Sequence, residues 1–249
     1  MSYLSEKITP FITSKRLSEN SQKSYHYDLR QFCQLVEEQI SDSKLRLYEN
    51  FLSDLKLSAR KRKISTVNQF LLYLYDQGKI SAYYHLKNRE KLRPKSRSQQ
   101  RLDLSNLYQA TDSTGKWIAL LILELGLSPS EIAAIKVEEV DQNFDVLTIK
   151  KSGQVRILPF SDILKPLFEN LESQTYLFDN RGNPYSRQWF FNQLNAFLQA
   201  EDFSDLTAQK LREQFIINQV AQGTDLLDLA KKLGLKTPLT LEPYYKNGY

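Results

Sequence analysis

Apolar residues recur at helical spacing through the first third of the chain. Tyr25, Leu29, Phe32, Cys33 and Val36 fall at i, i+4, i+7, i+8 and i+11, one stripe of an amphipathic helix, with Ser18 or Ser21 placed to cap its start. A second stripe, Leu45, Tyr48, Phe51, Leu52 and Leu55, predicts a helix over Asp42 to Lys56. A third helix is expected from Ser58 to Gln77, with Ile64, Val67, Leu71 and Leu74 inward and Gly78 as its stop. Its first turns carry four consecutive cations, Arg60, Lys61, Arg62 and Lys63. Cations oppose the dipole at a helix start, which favours an external anion as their partner.

The pattern breaks at Arg89 to Arg101, REKLRPKSRSQQR, which is nearly devoid of apolar residues and holds Pro94. It reads as an extended basic linker, with Arg93, Lys95 and Arg97 available to a phosphate backbone, or more plainly as a disordered tether between domains, the two readings being compatible. The expected division is a helical domain at 1–88, the linker at 89–101 and a second domain at 102–249. In the second domain helices are expected at Leu102–Ala110 and Trp117–Leu125, with Trp117 and Trp189 as core residues. GLSPSEIAAIKVEEVD follows: Ser128 is an N-cap, Pro129 takes the first helical position and Glu131 completes a capping box. Val146–Ile149 and Val155–Phe160 read as strands joined by Lys150-Lys151-Ser152-Gly153. Further helices are expected at Ile163–Leu171, Ser186–Ala200, Thr207–Gln222 and Asp225–Leu233. The fold class is mainly α with a small antiparallel β-sheet.

Charge changes the picture. Residues 1–101 hold 20 Lys and Arg against 10 Asp and Glu, whereas residues 102–249 hold 14 against 19. The basic surface belongs to the first half, where a polyanion is the natural partner and a solvated helical face the plainer reading. The chain has no run of eighteen apolar residues and no charged-then-apolar N-terminus, so neither a membrane span nor a secretion signal is expected. The single cysteine, Cys33, excludes an internal disulfide framework and fits a cytoplasmic setting, and His26 and His85 are too isolated to suggest zinc. No metal, cofactor or small-molecule ligand is expected.

Six segments, in order, resemble one family. LSENSQKSYHYDLRQF and SARKRKISTVNQFLLYLYDQGKI are similar to the core-binding helices of the XerD-like tyrosine recombinases. GLSPSEIAAIKVEEVD, KKSGQVRILPF, TAQKLREQF and KKLGLKTPLTLEPYY are similar to successive parts of their catalytic domain. The resemblance implies a two-domain tyrosine recombinase architecture clamped on double-stranded DNA, with another recombinase subunit as a further partner. It also implies a chemistry: a tyrosine hydroxyl attacks a phosphodiester, leaving a 3′-phosphotyrosine and a free 5′-hydroxyl, without ATP or metal. Two arginines hold the non-bridging oxygens, a hairpin lysine protonates the leaving oxygen and a histidine assists.

Carried over, Lys151 fills the lysine position (Lys150 is its neighbour), Arg212 the second arginine and Tyr244 the nucleophile, with Tyr245 one register away. Ser128 stands where the first arginine belongs, Gln209 where the histidine of the HxxR motif belongs, and Leu235 where a final histidine or tryptophan belongs. Glu213 replaces a frequent histidine beside Arg212. Without the family frame, these residues also fit surface pairs, a solvated turn and a tyrosine that packs the C-terminus. Five residues follow Tyr244, too few for a stable helix that would dock on a neighbour, so cyclic assembly by that route is not expected. Three readings follow: a DNA-binding recombinase with weak or lost cleavage; an active recombinase using Tyr244, aided by a partner subunit; and an interaction module that kept only the fold.

Overall fold

Ser18 and Ser41 open the first long helices in the same way. Each has extended backbone and accepts, at its side-chain oxygen, the N–H of the third residue onward, Ser21 and Lys44. The computed structural model describes residues 4–87, 100–151, 153–169, 171 and 174–246. They divide into two units, Met1–Arg97 and Ser98–Tyr249.

The first unit contains α1 (Ile8–Thr13), α2 (Glu19–Leu35), α3 (Asp42–Ser53) and α4 (Leu57–Asp76). The three sequence stripes meet in one core, where Leu29, Phe32, Cys33, Tyr48, Val67, Phe70, Leu71 and Leu74 are all fully buried. α3 stops at Ser53, three residues before the end that its stripe predicts. Arg60 explains the stop: its Nε donates to Leu52 O at 3.0 Å and its Nη2 to Ser53 O at 2.8 Å, satisfying carbonyls that a longer helix would have used itself. Gly78 lies two residues beyond α4 with φ +61, the left-handed conformation expected of a helix stop.

Burial disfavours the thiolate of Cys33, and the nearby Glu38 charge adds to this, so its pKa is pushed up to about 12. The thiol is therefore expected to resist iodoacetamide in the native chain and to react fully in denaturant. Rapid alkylation under native conditions would show that this core opens.

The second unit contains α5 (Ser105–Gln109), α6 (Thr114–Leu125), α7 (Pro129–Ile132), β1 (Val140–Asp141), β2 (Val146–Lys151), β3 (Gln154–Pro159), β4 (Asp179–Asn180), β5 (Asn183–Pro184), α8 (Arg187–Ala200), α9 (Ala208–Ala221), α10 (Leu226–Lys232) and α11 (Glu242–Lys246). Apolar α6 is the spine, with Ile118, Ala119, Leu121 and Ile122 fully buried among residues of α8 and α9. Gly115 makes the close approach to α8 possible: a Cβ there would lie 2.3 Å from Phe197 Cβ and 2.5 Å from Gln193 O.

The sheet is antiparallel in the order β1-β2-β3, with Thr148 opposite Ile157 and Lys151 opposite Gln154. The strands run further than the sequence predicts, so Lys150 and Lys151 are strand residues rather than turn residues. The expected helix at Ile163–Leu171 is a 3-10 segment, Asp162–Phe168, because Pro166 lacks the N–H that an α-helix needs there. The Leu102–Ala110 helix shrinks to α5. Trp117 and Trp189 pack against the core while partly exposed. Among the described residues no helix is long and apolar enough to cross a membrane.

Candidate functional site

Thr207 caps α9, its Oγ1 accepting Lys210 N at 3.3 Å, and this sets the azimuth of the residues that follow. Arg212 sends Nη2 to Leu233 O at 3.0 Å, while its Nε is buried without a hydrogen-bond partner. Burial pulls the guanidinium below the ordinary arginine pKa, and Arg156 adds to this while Glu131 opposes it. It remains a cation at any working pH. Leu233 is the C-cap of α10, and the preceding carbonyl, Lys232 O, accepts Arg156 Nη1 at 2.6 Å. Two guanidiniums thus draw on successive carbonyls at the negative end of one helix. Gly234 follows with φ +63, and a Cβ there would lie 3.0 Å from Arg156 Cζ. Glycine serves both the left-handed turn and the room that the guanidinium needs.

The other end of Arg156 reaches Glu131. Its Nη2 donates to Glu131 Oε1, and both side chains are almost wholly buried. Oε2 of the same carboxylate accepts Ser128 N at 2.8 Å and Ser128 Oγ at 2.5 Å, and Lys151 Nζ lies 3.5 Å from Oε1. Burial alone would raise the Glu131 carboxyl; the two Ser128 hydrogen bonds and the Arg156 and Lys151 charges outweigh it and hold the pKa below the ordinary range. Lys151 is half exposed at the end of β2, and Lys150 pairs with Glu139 at 3.5 Å.

Tyr244, on α11, is buried, and its hydroxyl donates to Glu213 Oε1 at 3.0 Å. Tyr245 donates to Thr224 O at 2.6 Å. Gln209 is exposed, and Leu235 packs against the apolar cluster of Phe215, Leu229 and Leu233. Lys151 and Arg212 therefore share one charge cluster with Glu131 and Arg156, while Tyr244 is tied to the residue beside Arg212.

The cations of α4 have unequal freedom. Arg60 caps α3. Lys63 is buried, giving Nζ to Asp28 Oδ1 at 2.8 Å and to Gln31 Oε1 at 2.6 Å. Arg62 reaches the same Asp28 oxygen at 3.0 Å but leaves 49% of its side chain exposed. Lys61 has no ion-pair partner among the described residues. Arg93, Lys95 and Arg97 lie outside the described residues.

A model of the phage integrase family matches residues 98–249, and one of the phage integrase N-terminal SAM-like domain matches residues 11–78. The chain belongs to the phage integrase family. A Streptococcus mutans protein (serotype c, strain ATCC 700610 / UA159) named tyrosine recombinase XerD-like is 52% identical over 241 residues, which span 96% of this chain and 98% of that protein. Among solved structures, a lambda integrase (75–356) dimer bound to a COC′ core site matches with a TM-score of 0.72 at 14% identity, over 98% of this chain and 95% of that one. XerH recombinase bound to its difH substrate, in a pre-cleavage complex, matches with a TM-score of 0.69 at 15% identity, over 96% and 81%. At these identities the solved structures speak for the integrase fold alone.

Two members of this integrase chain's charge cluster escaped the sequence reading as site residues. Glu131 was legible only as a capping-box residue. Arg156 did carry a signal: it is in phase with Leu158 on β3 and with Phe160 just beyond it, so the strand alternation turns it inward, while Val155 and Ile157 point out at 64% and 66% exposure.

Proposed function

We propose that this integrase-family chain is a XerD-like recombinase that grips duplex DNA in the cytoplasm while its own strand cleavage is weak or lost. One observation carries the second half of the reading. Ser128, where the resemblance implies the first arginine, gives its hydroxyl to Glu131. Its neighbour guanidinium, Arg156, is drawn into the same carboxylate and a helix carbonyl. Arg212 is then left as the single arginine at a family phosphate position, and a neutral serine cannot replace a planar, charged fork. Gln209 cannot shuttle a proton at neutral pH, and Leu235 offers no hydrogen bond. The rival reading, cleavage through Tyr244 with a partner's help, draws on Lys151 and Arg212 still sharing one cluster.

The grip on DNA is supported by the basic first half and by relatives whose structures hold DNA. Lys61, half-buried and without an ion pair among the described residues, and Arg62, lightly paired, are assigned the phosphate contacts, together with the basic stretch of Arg93, Lys95 and Arg97. Filter binding across a salt series tests this. Lys61→Gln is expected to weaken binding to every duplex alike and to reduce the slope of log affinity against log salt by about 0.9. An unchanged slope and affinity would remove Lys61 from the interface, and no salt-dependent binding by the wild type would favour an interaction module.

A further inference from the structure

Tyr244 is only 4% exposed, yet it is not part of the apolar cluster built by its neighbours. Leu241 and Tyr245 pack there with Phe215, Leu229 and Leu233. The hydroxyl of Tyr244 is instead committed to a carboxylate, Glu213 Oε1, 3.0 Å away. An ionised carboxylate only accepts, and a charge-assisted O–H···O⁻ bond is about twice as strong as a neutral one. Geometry adds a second restraint. Glu213 and Arg212 are consecutive on α9, so their side chains leave the helix about 100° apart. The hydroxyl is bonded to the Glu213 carboxylate, while the guanidinium of Arg212 is bonded to Leu233 O. A phosphate held by Arg212 would also meet the negative charge of Glu213 beside it.

We propose that Glu213 is a positioning residue that latches Tyr244 in an unreactive orientation, so that the hydroxyl meets a phosphate only after this bond opens. The inference rests on Tyr244 occupying the nucleophile position of the proposed reading, and adds what restrains it.

The test uses the full chain without DNA, so its outcome is separate from whether the protein grips or cuts DNA. Tyrosine hydroxyls are acetylated with N-acetylimidazole and each site is read by peptide mass spectrometry. In wild type, Tyr244 is protected. In Glu213→Ala its acetylation rises about tenfold or more, the factor expected from losing a hydrogen bond to a charged acceptor. Glu213→Gln, whose amide oxygen still accepts a neutral bond, falls between the two. Tyr108, whose hydroxyl donates to Glu124 at 2.7 Å in the same unit, stays protected and reports an intact fold. Tyr245→Phe removes the Thr224 bond of α11 and leaves Tyr244 protected. Unchanged labelling of Tyr244 in both Glu213 variants overturns the latch, as does an equal rise in Tyr245→Phe. Where Glu213→Ala also exposes Tyr108, the near-isosteric Glu213→Gln decides.

Discussion

Arg156→Met is expected to destabilise the second unit by about 3–5 kcal/mol, because it removes one partner of a buried ion pair and leaves the other charge uncompensated. Glu131 would keep Ser128 and the more distant Lys151, and Lys232 O would lose its donor. Adding Glu131→Gln to Arg156→Met should recover part of the loss, since the orphaned charge disappears. Both tryptophans, Trp117 and Trp189, lie in this unit, so urea unfolding followed by tryptophan fluorescence reads it alone, while alkylation of Cys33 reads the first unit. A loss below about 1 kcal/mol would mean the pair is worth no more than a surface contact. Acid sharpens the test. The Glu131 carboxyl is held below its ordinary pKa, so its stabilising contribution is present above the unfolded value and is lost as pH falls through the folded one. Glu131→Gln should therefore lower stability at neutral pH and flatten the acid limb.

Ser128→Arg is expected to raise Tyr244-linked DNA cleavage, by up to a factor of about a hundred to a thousand, the usual worth of one well-placed donor to a developing oxyanion. The substitution sacrifices the Ser128 side of the capping box, at about 1 kcal/mol, which the helix can bear because Pro129 still presets its first turn. Gln209 and Leu235 remain, so recovery stays partial, and effects at one catalytic centre need not add. No gain in a folded variant would show that the missing arginine is not what limits cleavage.

Local signals made much of the fold legible. The stripes of α2, α3 and α4 needed only helical periodicity, and the Ser128 and Glu131 capping box reads directly from spacing. The two-residue strands β1, β4 and β5 carry no such pattern, since partners in the folded sheet rather than sequence define them. The site divides in the same way. Lys151, Arg212 and Tyr244 were found as positions in a family frame, but their partners are tertiary. Arg60 turning back on α3, Lys63 sinking onto Asp28 and Glu131 meeting Arg156, 25 residues away, all depend on packing that no local motif announces.

The most direct measurement traps the covalent intermediate on duplex DNA nicked beside the cut site, using DNA that the protein is shown to bind. The expected result is retained binding with no adduct above trace, and a higher yield in Ser128→Arg that disappears when Tyr244→Phe is added. A robust adduct with the wild-type chain, abolished by Tyr244→Phe, would contradict the account and establish an active recombinase.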